Sequence, residues 1–263
     1  MRLKVIACEV VSRELYWCAA RARRAVDLTL LEQGLHDNSD LCRRRLQELI
    51  DAAGPDRYDA LVLGYGLCNN SLAGIRAGRI RMVIPRAHDC ITLLLGSKER
   101  YARLFAESPG TYWFSSGWME SWEGGGERAE PRQNSGLGPT YRALDHGALA
   151  AKYGEDNAKY LEDFMSHWED HYTRGVLIQF DFDRHLGLAS KVEAICREKL
   201  WQFATVEGDL GLLQAGLDGP WDADRFLVVE PGRTVRPSYD DGVLACGPGM
   251  CTVQAGRPQE PPS

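Results

Sequence analysis

Three cysteines stand where short apolar runs give way to polar residues: Cys8 after LKVIA, Cys68 after LVLGYGL and Cys90 after VIPRAHD. His36 follows VDLTLLEQGL in the same way, and His88 lies two residues ahead of Cys90. Thiolates and imidazoles are soft and borderline metal ligands, so their recurrence at equivalent points of successive segments reads as one dispersed site. Cys8, Cys68 and Cys90 with an imidazole from His36 or His88 would suit tetrahedral zinc. The three thiolates alone would suit an iron–sulfur cluster with one iron open to substrate. Helix N-termini after Cys68 and Cys90 are expected to lower those thiols' pKa. Around them, His88, Asp89 and Arg86 are candidates for catalysis or orientation, and Asn69, Asn70 and Trp118 for contact with a bound molecule.

Other chemistries compete for the same residues. Free cysteines are among the most buried residue types, and for Cys18, Cys42 and Cys196, inside predicted helices, simple packing is the better reading. Cys68 on a strand-to-helix elbow with His88 as base would make a cysteine-dependent hydrolase, but leaves Cys8 and Cys90 without a task. Gly64-Tyr65-Gly66 offers part of a phosphate loop, yet a dinucleotide fingerprint needs a third glycine where Asn69 stands. Cys246 and Cys251 read as exposed tail thiols, with extra ligands or a redox pair as alternatives. His146, His167, His171 and His185 read as surface or helix-end residues, and Asp181 and Asp183 as groups that orient a ligand or a helix.

What would bring the three cysteines together is a parallel sheet, because successive βα turns converge at the carboxyl ends of its strands. Strands are expected at 3–7, 26–31, 60–63 and 82–84. A helix from Ser12 and another capped by Ser39 or Asp40 and stopped by Gly54-Pro55 separate the first three, and a short helical segment from Ser71 follows the third. Thr111 to Ser115 read as a fifth strand or edge hairpin. The Gly-rich stretch from Glu123 to Pro139 reads as a mobile flap, and Tyr160, Leu161, Phe164, Met165, Trp168 and Tyr172 mark a long amphipathic helix. Strands return at 176–180, 203–206 and 226–229, with helices around 192–200 and 210–217 between them. The expected fold is therefore α/β with mostly parallel sheets and Rossmann-like βα units in both halves. Its expected parts are an N-terminal half (1–120) carrying the site, a flexible loop (121–140), a C-terminal half (141–235) and a largely disordered tail (236–263).

Composition narrows the function classes. The chain has 263 residues, 44% hydrophobic and 26% charged, which is ordinary for a folded globular protein. A net charge of -6 argues against nucleic-acid binding, and the basic run Arg21 to Arg24 is short enough to be a solvated helix end. The N-terminus lacks a signal peptide's apolar region and no segment is long enough for a membrane span, so a cytoplasmic address with reduced cysteines is expected.

The runs GYGLCNNSLAGI, VIPRAHDCITLLLGSKERY and PGTYWFSSGW resemble the bacterial and archaeal family known as domain of unknown function 1638, collinearly from about Leu3 to Gly232. The resemblance implies a role in one-carbon metabolism, because members are often encoded near corrinoid proteins and corrinoid-dependent methyltransferases. The expectation is a metalloprotein of methyl or one-carbon transfer acting on a small molecule, with a corrinoid protein or methyltransferase as partner. The alternative is a non-catalytic accessory protein that handles the metal or the corrinoid.

Overall fold

In the computed structural model the described residues are 1–123, 171–238 and 240–247, with 154, 155 and 159. The first apolar runs form parallel strands: β1 (Arg2–Cys8), β2 (Ala25–Leu31), β3 (Ala60–Gly64) and β4 (Met82–Pro85). β3 and β4 are buried at every position, which explains their unbroken apolar composition. Between β1 and β2 runs α1 (Ser12–Arg21), and between β2 and β3 runs α2 (Ser39–Ala52). The cap of α2 is Asn38, one residue earlier than expected: its side chain accepts from the Leu41 amide, while Ser39 Oγ donates to the Asn69 carbonyl.

After β4 come α3 (Cys90–Leu95) and α4 (Lys98–Glu107), then β5 (Thr111–Phe114) and α5 (Ser116–Glu123), a helix the sequence pattern did not suggest. β5 pairs in parallel with β6 (Arg174–Gln179), which pairs in parallel with β7 (Gln202–Glu207), giving a second sheet. α6 (Leu188–Glu198) connects β6 to β7 and closes a small core of Phe114, Leu177, Val192 and Cys196. The expected flap and nearly all of the expected long helix lie outside the described residues.

The chain then returns to the first sheet. α7 (Gly211–Asp218) packs on α1, β3 and β4, and β8 (Phe226–Val229) pairs antiparallel with β4, completing the order β2-β1-β3-β4-β8. The expected C-terminal half is thus divided: β6 and β7 build the second sheet, whereas β8 belongs to the first. The expected tail is also structured in part. β9 (Val235–Pro237) and β10 (Leu244–Cys246) form an antiparallel hairpin with Val235, Val243 and Leu244 buried. Arg86 fastens this hairpin, donating to the carbonyls of Ala223, Gly242 and Leu244.

The expected outcome for the α2 cap is that Asn38→Ala lowers stability by about 1 kcal/mol in urea unfolding. Asp40→Asn, which touches only an exposed ion pair with Arg43, should fall within about 0.5 kcal/mol of wild type.

Candidate functional site

The strand order reverses direction at β1, with β2 on one side and β3 on the other. At such a switch point the two flanking crossovers leave to opposite faces, and the carboxyl ends of the strands open a crevice. A cavity of about 640 Å³ lies there. Cys8 at the end of β1, Cys68 just past β3 and Cys90 just past β4 all line it, and all three are free thiols.

The turns after β3 and β4 are stitched edge to edge. The Leu67 amide donates to the Ala87 carbonyl (2.8 Å) and the Cys68 amide to the His88 carbonyl (2.9 Å). Gly66 passes so close to Asp89 that a Cβ would lie 2.5 Å from its backbone nitrogen, so only glycine fits there. No helix follows Cys68. Instead Cys68, Asn69 and Asn70 occupy the left-handed region in succession, with φ of 42°, 52° and 59°. Such residues cost on the order of 1 kcal/mol or more each and persist only where neighbours hold them. Here Ser39 Oγ holds the Asn69 carbonyl (2.8 Å) and Arg43 the Asn70 carbonyl (3.3 Å).

The expected lowering of the thiol pKa values is reversed. Burial pushes Cys8 up to about 12. Burial, then the Asp89 carboxylate, then the other thiols push Cys68 and Cys90 up as well. The missing helix after Cys68 accounts for part of the difference. Desolvation accounts for the rest, since charge is disfavoured away from water whatever dipole is near.

Of the other predicted residues, His36, Asn69 and Trp118 line the cleft and His88 sits exposed at its mouth. Asp89 lines it too, and its Oδ1 caps α3 by accepting from the Thr92 amide (3.1 Å). Asn70 and Arg86 do not line it, and Arg86 is committed to the β9–β10 hairpin. Cys246 is disulfide-bonded rather than a tail thiol, and Cys251 is outside the described residues. Cys18, Cys42 and Cys196 are packed in the interior as expected.

Sequence reasoning missed the opposite wall. Tyr101 and Phe105 from α4, Tyr112 and Trp113 from β5, and Tyr172 join Trp118 in an aromatic face across from the strand tips. The signal was present in TYWFSSGW but looked like ordinary strand composition. Behind the lining, Tyr65 OH and Gln33 Oε1 are buried without a hydrogen-bond partner. Among the described residues no Lys or Arg lines the cleft. None there forms a group of three or more His, Cys, Asp or Glu arranged to hold a metal ion.

Residues 30–217 fit the family described as Protein of unknown function (DUF1638). The chain belongs to the DUF1638 family. No curated protein and no solved structure matches it. The DUF1638 stretch is shorter than the resemblance suggested: it contains Cys68, His88, Cys90 and the aromatic wall, but begins after Cys8 and ends before β8.

Within the DUF1638 stretch, Ser116 and Asp183 face a residue upstream of it, Glu14 on α1, and the three make a polar cluster where the two sheets meet. Glu14 is fully buried, accepts from Ser116 Oγ (3.1 Å), and leaves Oε2 unpartnered; Asp183 accepts from the Phe180 amide (3.0 Å) and leaves Oδ2 unpartnered. Beside them Gly117 passes the Val10 carbonyl where a Cβ would sit at 2.2 Å. Burial, with the nearby Asp183 charge, raises the Glu14 carboxyl from 4.5 to about 7.

Two outcomes follow for this family member. Gly66→Ala should cost about 1–3 kcal/mol in denaturant unfolding, because the methyl meets backbone that cannot swing aside. For Glu14, the folded carboxyl keeps its proton to about 7 while the unfolded one loses it near 4.5. Its contribution to stability is therefore fully present below 4.5 and is lost as pH rises through 7, a change on the order of 3 kcal/mol. Glu14→Gln should flatten that dependence between about pH 5 and 8; an unchanged slope would assign it to other groups.

Proposed function

We propose that the cleft is a metal–thiolate site opening on a small-molecule pocket, with Cys8, Cys68 and Cys90 as ligands of zinc or an iron–sulfur cluster and His36 at its edge. The observation that carries this reading is the convergence of three free thiols, from three different strands, on one cavity at the switch point. The donor chemistry fits: soft sulfur ligands suit zinc and iron–sulfur clusters, and a cation is the partner that would let one buried and two half-buried thiols ionise together. Nothing else among the described lining residues carries a positive side chain to do so, apart from the imidazoles of His36 and His88. Because the thiols are not arranged around one point, binding would draw them together by side-chain rotation.

The cavity is far larger than an ion needs, which leaves room for an organic molecule against the aromatic wall. When bound, the metal would supply Lewis acidity, or in a cluster electron donation, next to that molecule. The protein's part is to exclude water with the aromatic wall and to fix Asp89 through its cap on α3. Transfer of a methyl or other one-carbon group, with a corrinoid protein or methyltransferase as partner, is the reaction class we assign. A non-catalytic carrier would need no such room. A Cys68 nucleophile is disfavoured, because burial and Asp89 push its thiol pKa up and His88 is exposed.

The test is anaerobic purification followed by metal analysis and an absorption spectrum. Wild type should carry stoichiometric metal, with visible charge-transfer bands for a cluster and none for zinc. Cys8→Ser, Cys68→Ser and Cys90→Ser should each lose most of it and lower the Tm of the loaded protein. Equal metal content in wild type and all three variants removes the proposal.

A further inference from the structure

We propose that the aromatic wall of the cleft receives a small organic cation with a methylated ammonium head. This deepens the reading above by naming the ligand class. It rests on the cleft being a binding site and not on the metal.

The wall is made of rings set edge to face. Tyr101 and Trp113 lie 6.0 Å apart at 76°, Tyr101 and Phe105 6.2 Å apart at 67°, and Tyr112 and Trp118 5.7 Å apart at 80°. Perpendicular rings present faces in more than one direction, and the negative π-faces of Trp and Tyr are what attract a diffuse, weakly hydrated cation. A carboxylate stands beside them: Asp89 lines the same cavity, and after burial its charge is the largest influence raising the Tyr101 phenol pKa. Among the described lining residues there is no Lys or Arg to pair with a phosphate or a carboxylate ligand.

The approach to the cleft has the same sign. Glu99, Asp240 and Asp241 line a second opening that shares Asp89, Tyr101 and Phe105 with the main cavity. Asp240 is fixed there, accepting from Ser238 Oγ (2.6 Å) and the Gly242 amide (2.8 Å); Lys98 lines the same opening and donates to the Asp241 carbonyl, so the carboxylates of Asp89, Glu99, Asp240 and Asp241 outweigh its charge. An acidic mouth on a cleft concentrates cations and raises their rate of entry.

The experiment is calorimetric titration of the full-length protein, as purified and after chelator treatment. The probes are choline, the alcohol in which a tert-butyl group replaces the trimethylammonium, and inorganic phosphate. Choline should bind about tenfold tighter than its uncharged isostere, since shape and apolar area are equal and only the charge differs. Trp113→Leu should lose about tenfold in choline affinity and Trp113→Phe should recover much of it. Asp89→Asn should lose a similar factor while keeping the α3 cap, because Asn caps as well as Asp. Equal binding of the isostere, no binding of choline, or preference for phosphate overturns the proposal. Choline binding by protein that carries no metal as purified anaerobically would count against the metal reading and leave this one standing, and stoichiometric metal without choline binding would do the reverse.

Discussion

The close run of the β3 turn beside the β4 turn sets the geometry on which the cleft depends. Two backbone hydrogen bonds join them, and Gly66 lets them approach until there is no space for a side chain. This contact fixes Cys68 relative to Asp89 and Cys90, and from Cys68 the chain takes three successive left-handed residues instead of a helix. The strain is local and is held by Ser39 and Arg43 from α2. A helix at that point would have turned Cys68 toward its own dipole. The turn instead leaves the half-buried thiol beside the Asp89 carboxylate, where its neutral form is favoured.

A second constraint joins the two sheets. The β1–α1 turn and the start of α5 touch at Val10 and Gly117, with Glu14, Ser116 and Asp183 buried alongside. The seam lies at the start of α5, the helix that brings Trp118 to the aromatic wall. Two buried carboxyls at a structural joint are unfavourable when both are ionised. The raised Glu14 pKa is the form that cost takes.

Much of this was legible in the sequence. The runs at Leu3, Val26, Ala60 and Met82 were apolar enough to be read as buried parallel strands, and that alone placed Cys8, Cys68 and Cys90 at neighbouring tips. What was not legible depended on distant partners. β8 has the same composition as a parallel strand, and nothing in FLVV says that it turns back to pair with β4. Arg86 sits between two strand-tip signals, yet its guanidinium is drawn to carbonyls more than a hundred residues away. Trp113 and Tyr112 alternate as in any half-buried strand, so the face they offer to the cleft appears only once the second sheet is docked. Glu14 was hidden for the opposite reason, since a charged residue in the first turn of a helix normally points to water.

The return of β8 bears on how the molecule is made. The first sheet lacks its last strand until the ribosome has passed the whole second sheet, so β4 waits as an open edge through much of synthesis. Unpaired apolar edges template wrong pairings between chains, and contacts between distant segments form slowly. The newborn chain therefore has to assemble its second sheet beside an unfinished first one. A ribosome stalled before Phe226 would release a protein with its thiol cleft already lined and its principal sheet still exposed along Met82–Pro85.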